Sequence, residues 1–226
     1  MREFTLYIGN KATSSWSLRG WLACKLAGID FDEVTIPLDM PETRESILRV
    51  SPSGRVPCLH HGTRRVWESI AVGEYLAELH PERNLWPAER SARAHARSIA
   101  AEMHSGFAAL RGAMWMNVRK RFPGSGRTPE ALADIARIVA IWRDTRTAYG
   151  AGGPYLFGQS FSFADAMYAP VATRFVTWAP ELPHDAASYV EAVWSHPWLK
   201  EWVAGAATEP WPTPKYDTPP AIQAAS

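Results

Sequence analysis

Ser51-Pro52-Ser53-Gly54-Arg55-Val56-Pro57-Cys58-Leu59, then His60-His61-Gly62-Thr63-Arg64-Arg65-Val66-Trp67, then Glu68-Ser69-Ile70-Ala71-Val72-Gly73-Glu74-Tyr75-Leu76, is the stretch that decides the fold. Val56 to His60 and Arg65 to Trp67 read as two strands around the turn His61-Gly62-Thr63. Pro57 stands where a strand begins, which makes Val56-Pro57 a candidate cis bond. A strand led in this way leaves the backbone groups of Val56 free for a peptide-like ligand. Glu68-Ser69 then sets a carboxylate and a hydroxyl at a helix N-terminus. Unpaired N–H groups and the positive end of the helix dipole hold a carboxylate there. A ligand that is part peptide and part free acid suits the whole segment.

Outward from this stretch the chain reads as two unlike halves. Phe4, Leu6 and Ile8 alternate with Thr5 and Tyr7 as a first strand, and Gly9 to Ser15 is a polar turn. Leu18, Trp21, Leu22 and Leu26 recur at helical spacing up to Gly28. Phe31 to Leu38 reads as a second strand with Val34, Ile36 and Leu38 on one face, and Pro41 to about Val50 as a short helix. Ser69 to Leu79 is the third helix. Residues 1–80 therefore read as an α/β thioredoxin-like domain. Residues 81–90, with Pro81 and Pro87, read as a linker, and residues 91–207 as an all-helical domain. In that domain one long helix is expected from Ser91 to about Lys120. A second starts at Thr128-Pro129-Glu130, with Leu132, Ile135, Ile138, Val139 and Trp142 as its buried stripe. Ser162-Phe163-Ala164-Asp165 has the spacing of a capping box and opens an apolar helix to Trp178. Shorter helices follow near Ala186 to Trp194 and Pro197 to Ala204, and 208–226 reads as a proline-rich irregular tail.

Composition narrows the function classes. A net charge of +1 offers no bulk attraction for nucleic acid or an anionic membrane. No apolar run is long enough to span a bilayer, and no signal-peptide core opens the chain. Cys24 and Cys58 have neither metal-type nor Cys-x-x-Cys spacing. A cytoplasmic protein without a metal site is expected, and its eleven tryptophans are read as core and seam.

Ser51-Pro52-Ser53-Gly54-Arg55-Val56-Pro57, Glu68-Ser69-Ile70-Ala71-Val72 and Tyr75-Leu76 resemble, in order and separation, the glutathione-binding half of the cytosolic glutathione transferases. The Ser162-to-Asp165 box is similar to the one opening the buried helix of that family's helical domain. Ser14-Ser15-Trp16-Ser17-Leu18-Arg19 is similar to the Ser-Ser-Cys-Ser-x-Arg motif of the serine-type zeta class, which includes maleylacetoacetate isomerase-like enzymes. Trp16 departs from that motif, where the zeta class has cysteine.

The resemblance implies glutathione as co-substrate, a small electrophile as second substrate, no metal, and a homodimer. By position it makes Ser14 the residue that steadies the thiolate, with Ser15 and Ser17 in support; which hydroxyl of the cluster meets the sulfur stays open. It has Val56, led into the strand by Pro57, pair with the cysteinyl unit, Glu68 and Ser69 hold the γ-glutamyl end, and Arg55 reach the glycine carboxylate. Tyr7 is the rival hydroxyl, since other classes use a first-strand tyrosine. Met103, His104, Phe107, Arg111 and Trp115 follow helical spacing and are candidates for a second-substrate wall, although a Met and aromatic stripe of this kind reads first as plain core. Two alternatives share this framework: a glutathione-dependent cis–trans isomerase of the maleylacetoacetate type, and a non-catalytic ligand-binding or interaction module.

Overall fold

The computed structural model describes residues 2–219, so the part of the expected tail at 220–226 lies outside the described residues. The first half runs β1 (Phe4–Ile8), α1 (Ser15–Ala27), β2 (Phe31–Thr35), α2 (Thr43–Val50), β3 (Cys58–His61), β4 (Arg64–Trp67) and α3 (Ser69–Leu79). The sheet order is β2-β1-β3-β4, with β1 parallel to β2 and antiparallel to β3. This is the thioredoxin-like arrangement. Gly62-Thr63 joins β3 to β4 in two residues, with Gly62 at φ 57° as a tight hairpin turn requires.

Strand parity decides what β1 buries. Phe4, Leu6 and Ile8 enter the core, while Thr5 and Tyr7 are half-buried on the other face. Helix α1 is buried along nearly its whole length because it packs against β1, α3 and the second half. Its Gly20 is what lets Pro57 approach, since a Cβ there would stand 2.7 Å from the proline ring. β2 is shorter than its apolar pattern suggested. After Thr35 only the Ile36 N–H still reaches Ile8, Pro37 has no N–H to give, and Leu38 donates to the Asn10 side chain at 2.7 Å. As an edge strand, β2 also leaves Val34 exposed.

The second half follows a 3-10 turn at Pro81–Arg83 and consists of α4 (Arg90–Ser105), α5 (Ala108–Ala113), α6 (Pro129–Tyr149), α7 (Phe163–Trp178), α8 (His184–Ser195), α9 (Pro197–Ala207) and the single turn α10 (Pro214–Asp217). One long helix from Ser91 to Lys120 was expected; the chain instead breaks at Gly106-Phe107. Phe107 takes φ 62°, Arg111 closes back on the carbonyls of Met103 and Gly106, and Asp134 accepts the Leu110 N–H at 2.9 Å. Those bonds cap both sides of the break. Helix α6 begins under a Thr128 cap as expected, but Leu132 faces solvent and Ala131 takes its place in the buried stripe. The tail expected to be irregular contains a single helical turn, opened by Pro214.

Helix α7 is the pillar of the second half, buried at nearly every position. The Asp165 carboxylate accepts from Ser162 N and Oγ (2.8 and 2.7 Å), from Leu156 N (3.0 Å) and from the Tyr189 hydroxyl (3.0 Å). Burial raises its pKa, and those four bonds oppose the rise. One continuous apolar cluster joins the halves from Phe4 to Ala206, mostly through α1 against α7.

Candidate functional site

A cavity of about 570 Å³ opens between the halves. Ser14, Trp16, Leu38, Ile47, Gly54, Arg55, Val56, Pro57 and Glu68 form its walls on one side, and His104 and Ser105 on the other. The stretch that decides the fold thus supplies much of one wall.

The β1–α1 turn fixes Ser14. Its N–H bonds Asn10 O at 2.8 Å, and it stands at the N-cap of α1 with 6% of its surface exposed. Its hydroxyl lies 2.7 Å from Ser17 Oγ, which also accepts the Gly9 N–H at 2.8 Å. Ser17 is fully buried behind the turn, and Ser15 turns toward α7, where its Oγ accepts from Arg174 at 3.2 Å. The structure therefore brings Ser14 to the cavity wall and does not bring Ser15 or Ser17 there. Tyr7 is not on that wall either; its ring lies 4.7 Å from His60.

The turn is held from the far end of the chain. Glu209 accepts the N–H groups of Lys11 and Ala12 at 2.5 and 3.0 Å. The Trp202 indole donates to Lys11 O at 2.8 Å, and Val118 N donates to Ala12 O at 3.0 Å. Partial burial raises the Glu209 pKa, against the pull of the two backbone bonds and the nearby Arg119 and Lys11. Nothing in the sequence signalled Glu209 or Trp202 as part of the site's support.

Opposite Ser14, the Val56-Pro57 bond is cis and leads into β3. Among the described residues no hydrogen bond involves the backbone N–H or C=O of Val56. Arg55 is exposed on the same wall. Cys58 is turned away and donates to Val50 O at 3.4 Å, with its thiol pKa raised by burial. Glu68 adopts φ 68°, ψ 126°, outside the regions a non-glycine residue prefers. Its carboxylate approaches His104 Nε2 at 3.7 Å across the cavity. Ser69, the first residue of α3, is fully buried, and its hydroxyl has no partner.

Of the five candidates for the second-substrate wall, His104 alone lines the cavity, and the plain-core reading holds for Met103 and Phe107. Burial holds the His104 pKa below the ordinary value, with Arg19 and Arg111 lowering it further against Glu68. Met103 and Phe107 belong to the core: Met103 shares the buried face of α4 with Ala96, Ile99 and Ala100, and Phe107 is buried at the break that follows. Trp115 turns to the C-terminal segment and donates to Tyr216 O at 3.0 Å. Arg111 lies over the Trp16 ring, 4.7 Å from its centre. Trp16 thus fills the wall at the place where the motif departs from cysteine. Among the described residues no group of three His, Cys, Asp or Glu side chains is placed to hold a metal, and no helix is long and apolar enough to cross a membrane.

Comparison with known proteins places the chain by family and fold. Residues 13–79 match the family model "Glutathione S-transferase, N-terminal domain", and residues 92–205 match "Glutathione S-transferase, C-terminal domain". The chain is 32% identical over 177 residues to a probable maleylacetoacetate isomerase of Caenorhabditis elegans, covering 75% of this chain and 79% of the relative. It is 27% identical over 193 residues to the maleylacetoacetate isomerase of Rattus norvegicus, covering 82% and 84%. Among solved structures it is similar to a glutathione transferase homolog from Burkholderia, strain BGR1, with bound glutathione: TM-score 0.70, 25% identity, 91% of this chain and 99% of that one.

Proposed function

Because the chain belongs to the glutathione S-transferase family, we propose that it is a glutathione-dependent transferase whose Ser14 hydroxyl steadies the thiolate for addition to a small electrophile. The observation that carries this reading is the placing of Ser14. Alone of the three serines in the turn, it reaches a cavity that also presents the unpaired backbone of Val56 and the carboxylate of Glu68. The residues present suit glutathione. Val56 offers one N–H and one C=O to a peptide unit, Glu68 offers a carboxylate to an ammonium, and the Ser69 hydroxyl has no protein partner to lose. Arg55 is left for a terminal carboxylate.

Bound there, the glutathione thiol gives up its proton to solvent water, and the resulting thiolate attacks the electrophile. A free thiol has a pKa of ~8.5, which leaves roughly 3% thiolate at pH 7. Lowering it by ~2 units requires about 2.7 kcal/mol of preference for the anion. One hydrogen bond to a charged group contributes ~1.5–3 kcal/mol, and the N-terminus of α1 a further ~0.3–1. Ser14 Oγ here donates to Ser17 Oγ at 2.7 Å and accepts the Ser17 N–H at 3.4 Å; a thiolate would take the Ser14 proton in place of Ser17 Oγ, which keeps the Gly9 N–H as its partner.

A second reading is favoured by the names of the worm and rat relatives: reversible addition of the same thiolate to an unsaturated diketo acid, giving cis–trans isomerisation. A glutathione-dependent screen with aryl halides, peroxides, disulfides and maleylacetoacetate analogues separates the two. The family also leads us to a homodimer as the working assembly, which light scattering of the purified protein tests.

A further inference from the structure

The turn that carries Ser14 is tied to another wall of the same cavity through one side chain. Asn10 follows β1 and is 1% exposed. Its backbone C=O accepts the Ser14 N–H at 2.8 Å and the Thr13 N–H at 3.3 Å. Its side-chain Oδ1 accepts the Leu38 N–H at 2.7 Å. Leu38 lines the cavity together with Ile47 of α2. The Leu38 side chain lies close over Gly9, where a Cβ would stand 2.5 Å from Leu38 Cδ1. Just beyond it, Thr43 Oγ1 donates to Pro37 O at 2.6 Å and accepts the Met40 N–H at 2.9 Å, which leads the chain into α2. Asn10 thus accepts from two walls at once, from the Ser14 turn with its main chain and from Leu38 with its side chain.

Stability alone does not account for an amide at this position. Asn10 Nδ2 is buried with no partner among the described residues, and an unpaired buried donor destabilises the fold. Replacing the amide by a methyl group deletes that donor but leaves the Leu38 N–H unpaired, so the two changes oppose each other. The geometric effect of the side chain has no such offset. The last strand-type bond between β2 and β1 runs from Ile36 N–H to Ile8 O, and Pro37 has no N–H to give. The bond to Asn10 Oδ1 therefore carries the register past Pro37 to the cavity wall. The peptide unit between residues 10 and 11 is fixed as well, its C=O on Ser14 and its N–H on Glu209.

We propose that Asn10 is a positioning residue for the thiolate chemistry: it locks the Leu38 wall to the Ser14 turn, so that wall and hydroxyl move as one body. The proposal rests on the Ser14 reading and deepens it. A hydroxyl stabilises a developing anion well only when its backbone is already held in place. With the bond to Leu38 cut, residue 10 relaxes, the Ser14 N–H on its C=O relaxes with it, and Ser14 Oγ stays with Ser17 Oγ, its partner at 2.7 Å. The coupling is reciprocal: a wall that favours the aimed hydroxyl is itself steadied when a thiolate engages that hydroxyl.

The test is a double-mutant cycle of Asn10→Ala and Ser14→Ala, read by ultraviolet titration of the bound glutathione thiolate and by thermal melts. Asn10→Ala should raise the thiolate pKa by about 0.5–1 unit, half the shift expected of Ser14→Ala. Below pH 7 its kcat/KM should fall about 3–10-fold, with KM for glutathione changed less than about twofold. Its Tm should stay within about 4 °C of wild type, because the lost bond and the deleted unpaired donor offset each other. In the Ser14→Ala background, Asn10→Ala should add no further shift in the thiolate titration. A change in Tm with no change in the titration, or the same titration shift with and without Ser14, overturns the proposal. An unmoved titration in Ser14→Ala overturns the thiolate reading itself and this proposal with it, so the two failures are told apart. Should Asn10→Ala fail to fold, hydrogen exchange of the wild-type Leu38 amide decides. It should be slower with glutathione bound than with S-methylglutathione, which has no thiolate, and the difference should vanish in Ser14→Ala. Equal exchange with the two ligands in wild type overturns the proposal.

Discussion

Ser14→Ala removes one hydroxyl that caps α1 and that we propose donates to the thiolate, and the structure lets the two effects be separated. As a cap of α1 its bond to the Ser17 N–H is long, 3.4 Å, so the loss of stability should fall at the low end of the ~0.5–2 kcal/mol range for N-caps. As a donor to thiolate it is worth ~1.5–3 kcal/mol, or about 1–2 pKa units. The bound glutathione thiol should therefore titrate about 1–2 units higher in the variant, followed by the ultraviolet absorbance of the thiolate. At a pH below both values, kcat/KM should fall about 10–100-fold, and the gap should close above pH ~9, where the thiol ionises unaided. Glutathione affinity should change little, because Val56, Glu68 and Ser69 are untouched. An unchanged thiolate titration in Ser14→Ala, with its collapse in Tyr7→Phe, would refute the assignment.

Four further outcomes follow from the same geometry. Glu68→Gly relieves a positive φ that costs ~1–3 kcal/mol while adding ~0.4–1 of chain entropy, so thermal melts should show stability unchanged or higher, yet calorimetry should show glutathione binding about 10–100-fold weaker. Asp165→Asn leaves two of four donors facing an amide, and denaturant titration should show a loss of about 2–6 kcal/mol. Glu209→Gln keeps one of its two backbone bonds, so the thiolate pKa should rise by roughly 0.5–1 unit if the strap positions Ser14, whereas a shift in Tm alone would make its role one of stability only. His104 has a folded pKa below its unfolded ~6.5, so the unfolded chain binds more protons in that window and stability rises with pH through it. His196 acts with the same sign, and His104→Gln should flatten but not abolish the slope of Tm against pH between about 5 and 7.

What the sequence made legible was local. The strand and turn chemistry of residues 51–76 placed Val56, Pro57, Arg55 and Glu68 on one wall, because a hairpin and a helix N-terminus are written in consecutive residues. The capping relation of Ser162 and Asp165 could be read for the same reason. The helix break at Gly106-Phe107 was not legible, since a continuous apolar stripe runs through it and the bonds that close it come from Arg111 and from Asp134 on another helix. Met103 is core because it continues the buried face of α4, His104 falls one position round from it on the wall, and the break then ends that helix at Gly106 before Phe107. Spacing put Ser14, Ser15 and Ser17 together, but only the turn of α1 against α7 shows that they face three different ways. The tail read as irregular from its prolines, yet Arg119 holds it through Glu209 O and the Thr213 hydroxyl, a contact spanning about ninety residues.

These long-range bonds bear on where the thiolate chemistry resides. The thioredoxin-like half carries Ser14 and holds its turn through Leu38 on Asn10 and Glu33 on Lys11, but further constraints come from beyond residue 117: Val118, Trp202 and Glu209 bond Lys11 and Ala12, and Arg174 bonds Ser15. A hydroxyl donates usefully to a developing anion only when its backbone is held so that no reorganisation accompanies the charge. The helical half and the segment after it therefore hold the Ser14 turn as well as one side of the cavity. On the proposed role of Ser14, they set the aim of its hydroxyl through the backbone of residues 11–15, so substitutions at Trp202 or Glu209, remote in sequence and absent from the cavity wall, should be felt first in the thiolate pKa and only secondarily in glutathione affinity.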